Sequence, residues 1–362
     1  MRDPGSERDF TPSRAGKRPL LSIVIPTLDV ASYIGRCIDV IAEQTFSDIE
    51  IIVIDGASTD GTRTLLETRI PREPRLNVEW EASGIGPGRA RNAGVRAATG
   101  EYLWFVDADD LVAPGSLAAI SERLATQRPD VLLIDHAELQ ADGSLKPGQD
   151  HGLVAGAGGE LFTIADRPRM LGMGLVTWNK IIRREFFKSA GAEFSVDAPH
   201  EDVPVSCELL LTARAIGVLD RVCYLYRKHR PGSVTSTGKR YRHFLVFDAW
   251  RPILKQNRDK LAALSADSQV TEEVYHSLFQ RAIWHCSTIL ETAGYIARPD
   301  RRAFLDQLSV LYSEYVPDGY HPPRGFRGVK FALIARDSYL GYAALEPLNK
   351  ARVAARGLLP RR

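Results

Sequence analysis

Residues 21–62 read LSIVIPTLDVASYIGRCIDVIAEQTFSDIEIIVIDGASTDGT, and this stretch decides the fold. From Leu20 to Ile25 the chain reads LLSIVI, a short run rich in apolar β-branched residues that Pro26 stops. A strand buried on both faces reads this way, whereas a half-exposed strand alternates apolar with polar residues. Ile34, Cys37, Ile38 and Ile41 then recur at the spacing of one apolar helix face. A second buried run, IEIIVID from Ile49 to Asp55, completes a strand–helix–strand unit and turns at Gly56. Ser58, Thr59 or Asp60 is expected to cap a helix beginning near Asp60.

Further along, LNVEW (76–80), EYLWFVD (101–107) and DVLLID (130–135) read as three more strands. PGRARNAGVRAA (87–98) is the third helix, and Leu117, Ile120 and Leu124 mark a fourth with Pro114 in its first turn. Strands alternating with helices imply an α/β protein, Rossmann-like, with a mostly parallel sheet flanked by helices. Ligands in such sheets bind outside the carboxyl ends of the strands. Here those ends carry Thr27, Asp55 and the run Asp107-Ala108-Asp109-Asp110, so carboxylates crowd the rim.

Residues 137–175 are Gly-rich and read as a hairpin and a long loop. TWNKIIRREFF (177–187), HEDVPVSCELLLTARA (200–215) and VCYLYRKH (222–229) form a second α/β stretch. From about Tyr241 the text becomes helical with mixed polarity. The expected organisation is a disordered tail over 1–19, an α/β domain over 20–240, and a mainly helical region with a basic tail over 241–362. No internal repeat is present.

With 44% hydrophobic and 25% charged residues in 362, composition excludes a disordered chain, a collagen and a coiled-coil rod. A net charge of +2 gives no reason to expect a nucleic-acid partner. Cys37, Cys207, Cys223 and Cys286 lie too far apart for a C-x-x-C zinc motif and do not form a disulfide framework. The N-terminus has no apolar h-region, and no apolar run approaches the ~18 residues of a membrane helix. A cytoplasmic protein is expected, at most peripheral to the inner face of the membrane.

From His321 to Arg362 nine Lys/Arg face only Asp337 and Glu346. RGFRGVKFALIAR (324–336) and NKARVAARGLLPRR (349–362) could meet anionic headgroups, each basic residue adding ~1 kcal/mol near the surface. A docking or oligomerisation unit that presents a polymeric acceptor is the competing expectation, and a solvated tail the third.

VDADD has two readings. Asp107 and Asp109 at a strand end can aim two carboxylates together, which suits Mg2+ or Mn2+ with a diphosphate completing the coordination. Alternatively the aspartates form a turn, with Asp110 capping the next helix. Rival motifs are absent. PTLDVAS occupies the place of a dinucleotide G-x-G-x-x-G, Arg89 stands where Gly84, Gly86 and Gly88 would need another glycine, and neither a P-loop nor a G-x-S-x-G elbow occurs.

In this order the motifs closely resemble the family 2 glycosyltransferases of the GT-A fold, over about three-fifths of the chain from Leu20 to Thr237. TWNKIIRREFF, HEDVPV and YLYRKHRPGSVTST are similar to the bacterial cell-envelope branch of that family, with kinship to sugar-transferring modules beside wall-polyol polymerases. The resemblance implies a nucleotide-sugar donor, with UDP favoured by family habit, a divalent metal and inversion at the anomeric carbon. It implies that Thr27 and Asp55 line the nucleoside pocket, that Arg91 and Asn92 sit near the donor, and that Asp107 and Asp109 bind the metal–diphosphate. Asp202 of the Glu201-Asp202 pair takes the place of the catalytic base, with Glu201 expected to point elsewhere or to orient the acceptor. Trp178, Asn179 and Lys180 would border the sugar and acceptor site. His229, Arg230 and Ser233 resemble a lid over the diphosphate. Two departures from the pattern stand out: Gly56 replaces a second aspartate, and Leu28-Asp29 replace an aromatic and Asn. The acceptor would be an envelope glycan or a polyol polymer. A nucleotidyl or phosphosugar transferase and a catalytically silent sugar-binding module are the alternatives.

Overall fold

The computed structural model describes residues 18–82, 84–196, 199–228, 240–264, 268–292 and 294–345. Strand β1 (Leu21–Thr27) lies between β2 (Ile49–Asp55) and β4 (Tyr102–Phe105), and β3 (Leu76–Trp80) flanks β2, all four parallel. The apolar runs of β1, β2 and β4 reflect burial on both faces, whereas β3 at the sheet edge is half-buried. Leu21, Ile23 and Ile25 enter one core with Ile51, Val53 and Trp104, while Val24 enters the other with Ile52, Ile54, Leu103 and Phe105. Helix α1 (Ala31–Ala42) buries Ile34, Cys37, Ile38 and Ile41, the face expected from its spacing.

Beyond β4 the sheet becomes mixed rather than mostly parallel. Its order is β3-β2-β1-β4-β8-β6-β9-β5, with β7 (Leu145–Pro147) hairpinned onto β6 (Val131–Leu139). β8 (Lys180–Arg183) runs antiparallel to both neighbours, and β5 (Leu111–Val112) is antiparallel to β9 (Ile216–Arg227). The polypeptide between β6 and β8 contains the hairpin and short helical turns, including α5 (His151–Val154), instead of one crossover helix. It can therefore return in the antiparallel sense. A register shift near Asp135 on β6 and Asp220–Arg221 on β9 bends the later half of β9 toward residues 109–112.

Of the three residues expected to cap the second helix, Asp60 is the one that meets its first amide. α2 (Thr62–Arg69) begins two residues after Asp60, and neither Ser58 nor Thr59 caps it. Asp60 instead accepts from the Thr62 amide at 3.0 Å and from the Ala31 amide of α1 at 2.9 Å, so one carboxylate serves two helix N-termini. α4 (Ser116–Gln127) starts after Pro114, with Gly115 left-handed at φ 72°.

α3 (Pro87–Ala97), α6 (Arg184–Ser189) and α7 (Asp202–Thr212) cover the Val24 side of the sheet. The helices after residue 240 close the same core: α8 (Val246–Leu264), α9 (Ser268–Glu291), α10 (Arg301–Tyr315) and α11 (Phe326–Ala335). Trp250, Phe279, Phe304 and Phe331 belong to one cluster with Val24 and Phe105, so apolar contact is continuous across residue 240. All four cysteines are buried and free. Among the described residues no helix is long and apolar enough to cross a membrane. Residues 1–17, His229, Arg230, Ser233 and the segment 346–362 lie outside the described residues.

Candidate active site

The carboxyl ends of β1, β2 and β4 form one rim. Thr27 and Asp55 are register partners at the ends of β1 and β2, both buried. The Asp55 carboxylate accepts from the Ser58 hydroxyl at 2.5 Å and from the Ser58 amide at 3.1 Å, which folds the GAST turn back on the strand. Asp29, at φ 50°, accepts from the Thr59 amide at 2.7 Å and ties the loops after β1 and β2 together. Ser58 and Thr59 thus brace the rim.

β4 ends at Phe105, so Asp107 and Asp109 stand on a turn rather than on a strand. The Asp110 amide donates to the Asp107 carbonyl at 3.0 Å, which closes that turn. Asp110 does not cap α4. It accepts from the Tyr224 hydroxyl at 2.7 Å and from the Arg227 amide at 2.7 Å, and so anchors the turn to the bent end of β9. The Tyr224 hydroxyl also accepts from the Asp107 amide at 3.1 Å, and Arg227 Nε donates to the Asp109 carbonyl at 2.8 Å. Tyr224 and Arg227 escape a reading of the sequence alone. Their signal is a polar atom at the end of an alternating strand, which has no meaning until β9 is placed beside this turn.

Arg91, from α3, is the centre of the site. Its guanidinium donates to Asp107 Oδ1 at 3.0 Å and to Glu201 Oε1, and it stays firmly protonated. Burial opposes its charge, but Asp107, Glu201 and Asp202 outweigh that. Asp107 is pushed up by burial, partly relieved by Arg91 and reinforced by Asp109. Its second carboxylate oxygen has no hydrogen-bond partner among the described residues. A donor set of two neighbouring half-buried carboxylates, one of them with an uncommitted oxygen among the described residues, fits a hard divalent cation that keeps other positions for water and phosphate.

Glu201 and Asp202 open α7. Glu201 is turned into the ion pair with Arg91, while the Asp202 side chain has no hydrogen-bond partner in another described residue. Burial and the neighbouring Glu201 raise the Asp202 carboxyl to about 7, against the pull of Arg91. A carboxylate poised there is ready to accept a proton near neutral pH.

Asn92 spends its amide on the Phe194 backbone, donating to the carbonyl at 2.8 Å and accepting from the amide at 3.0 Å. Trp178 stacks on Tyr224 at 4.5 Å and 6°, and on Tyr226 at 5.7 Å and 14°. Asn179 and Lys180 are fully buried and spend their polar atoms internally. Asn179 Nδ2 donates to Asp150 Oδ2 at 3.1 Å and to the Gly174 carbonyl at 3.0 Å. Lys180 Nζ donates to the Gly174 and Val176 carbonyls at 3.1 and 2.8 Å and to Asn179 Oδ1 at 2.7 Å. Burial lowers the Lys180 ammonium to about 8, with Asp150 and Asp202 opposing that, and it remains charged at neutral pH. Lys180 and Asn179 therefore shape the 174–179 loop from within. Arg91, Asp107, Glu201 and Asp202 come together around one guanidinium, whereas Thr27 and Asp55 form a separate part of the rim.

Residues 22–190 match the family model described as glycosyl transferase family 2. The chain is 30% identical over 227 residues to the uncharacterized glycosyltransferase EpsJ of Bacillus subtilis (strain 168), a match covering 60% of this chain and 63% of EpsJ. It is 27% identical over 224 residues to the glycosyltransferase GlyG of Streptococcus pneumoniae serotype 4, covering 60% and 73%. Among solved structures, residues 1–349 of Staphylococcus aureus TarS in complex with UDP-GlcNAc align with a TM-score of 0.71 at 19% identity, over 91% of each chain. The mannosyltransferase PcManGT from Pyrobaculum calidifontis, in complex with GDP-Man and Mn2+, aligns with a TM-score of 0.51 at 19% identity, over 92% of this chain and 88% of that one.

Proposed function

We propose that this chain, which has the GT-A fold and matches the glycosyl transferase family 2 model over residues 22–190, is an inverting, metal-dependent glycosyltransferase of that family. It moves a sugar from a nucleotide-diphosphate donor, with UDP the first choice, to a hydroxyl of an envelope glycan or wall polymer. The observation that carries this reading is the gathering of Asp107, Glu201 and Asp202 around Arg91, with Asp202 left unpaired among the described residues. The ligands named for TarS and PcManGT support a nucleotide-sugar donor and a divalent cation.

Displacement at an anomeric carbon needs charge stabilisation at the leaving diphosphate and a base for the incoming hydroxyl. Asp107 and Asp109 would hold Mg2+ or Mn2+, which when bound supplies Lewis-acid stabilisation of the departing diphosphate. Arg91 counteracts the burial that raises the Asp107 carboxyl and holds it in place before the donor arrives. Thr27 and Asp55 line the nucleoside side of the rim. Asp202 takes the proton of the acceptor hydroxyl as the new bond forms, and the unpaired carboxylate near neutral titration suits that task. Glu201 is held away by Arg91 and acts on Asp202 through its charge. Trp178, backed by its stack on Tyr224 and Tyr226, borders the acceptor side, with Asn179 and Lys180 supporting its loop. Arg230 and Ser233 would supply a cation and a hydroxyl to the diphosphate. The basic segment 346–362 could bring the enzyme to an anionic membrane surface.

The test is product analysis with UDP-sugars and Mn2+. Free nucleoside diphosphate with an inverted glycosidic linkage supports the proposal. Pyrophosphate would identify a nucleotidyl transferase instead, and undiminished turnover in excess chelator would remove the metal role of Asp107 and Asp109.

A further inference from the structure

One face of α3 presses on the segment that leads into Asp202. Gly88, Arg91 and Asn92 stand at i, i+3 and i+4, so they share a side of the helix. A Cβ built on Gly88 would lie 2.2 Å from the Ser195 carbonyl oxygen and 3.2 Å from Glu201 Cγ. The nearer obstacle is backbone, so no side-chain rotation relieves it. Asn92 grips the Phe194 peptide at both its carbonyl and its amide, at 2.8 and 3.0 Å. Phe194 is itself buried, edge-on to Phe105 at 5.2 Å and beneath the Arg91 guanidinium. The opposite face of α3 is committed to the sheet through Ala90, Ala93, Gly94 and Ala97.

We propose that Gly88 and Asn92 are positioning residues for the transfer step, clamping residues 194–196 and Glu201 so that Asp202 is delivered at the right height to the acceptor hydroxyl. This rests on the reading of Asp202 as the base. A base must sit within ~2.6–3.2 Å of the proton it removes, and a misplacement of about 1 Å can cost about 100-fold. Asp202 has no hydrogen bond to another described side chain to place it, so its position is inherited from the backbone that α3 holds. The glycine and asparagine of the GPGRARN run therefore act on the acceptor half of the reaction, rather than on the donor.

The experiment compares Asn92→Ala, Asn92→Asp and Gly88→Ala with the parent chain. Nucleotide-sugar affinity is measured by titration with Mn2+, kcat and donor KM by steady-state kinetics, and backbone hydrogen exchange by mass spectrometry. The expected result is donor affinity within about twofold and kcat at least about tenfold lower for Asn92→Ala and Gly88→Ala, below the full loss for a 1 Å displacement. Asn92→Asp keeps the acceptor for the Phe194 amide but loses the donor to its carbonyl, so its kcat falls between. It preserves volume and serves if the alanine variant does not fold. Donor affinity weakened tenfold or more with kcat retained would make these residues donor ligands and overturn the proposal. Unchanged exchange over residues 192–203 in both Asn92 variants would also overturn it. Exchange needs no turnover, so an inactive parent chain would count against Asp202 as base while the exchange data still decide whether the clamp exists.

Discussion

Asp202 and Glu201 are adjacent in sequence yet opposite in circumstance, one unpaired among the described residues and one locked to Arg91. Asp202→Asn should leave donor affinity nearly intact and reduce transfer by about 10²–10⁴-fold, as loss of a general base does. Titration with nucleotide-sugar alongside initial rates checks both halves. Because burial and Glu201 raise the Asp202 carboxyl to about 7, its basic form is lost as pH falls through that value. Transfer should therefore rise with pH through about 7, and Glu201→Gln, by removing a like charge, should move that limb to lower pH. The Glu201-Asp202 pair was legible in sequence through the family pattern, but which of the two is free was not. The answer is set by Arg91, 110 positions away. Asn179 and Lys180 give the complementary lesson. Beside Trp178 they read as a sugar rim, but Asp150 and Gly174 of the irregular stretch draw their polar atoms inward.

At the scale of elements, α3 explains why the GPGRARNAG run is poor in large side chains. Gly94 faces Val24, and a Cβ there would lie 2.2 Å from Val24 Cγ1 in the centre of the sheet. Gly94→Ala should destabilise the protein by about 1–3 kcal/mol through overpacking, more than the gain of up to about 1 kcal/mol from helix propensity. Denaturant unfolding measures this, and Val24→Ala in the same chain should relieve it; additive losses would mean the contact is not the cause. The strands of the first half were legible because each carries an apolar run on both faces, such as Ile23–Ile25 and Ile51–Ile54, a pattern that double burial requires. The ends were less so. A strand running through to Asp107 would have aimed Asp107 and Asp109 by pleat alone, whereas the turn after Phe105 lets Arg91 and β9 aim them.

For the whole molecule, the helices after residue 240 complete the core that the sheet begins. Phe331 and Ile334 of the basic 324–336 segment are fully buried, and Lys330 is buried in an ion pair with Glu291, which Tyr342 also bonds at 2.7 Å. Removal of residues 326–362 would therefore open the core, so a test of membrane attachment should stop the chain after Leu345. That truncation is expected to lose sedimentation with anionic liposomes. Equal sedimentation of the two forms would dispose of attachment through 346–362. The sequence by itself determined the strand–helix alternation and the apolar face of α1, because buried strands and helix faces each demand a residue type at fixed local spacing. Only the tertiary structure decided the antiparallel turn of the sheet at β8, the role of Arg91 as the shared partner of Asp107 and Glu201, and the inward commitment of Asn179 and Lys180. Those outcomes depend on polar atoms meeting across long loops, where burial makes an unpaired group costly but leaves no periodic trace in the chain.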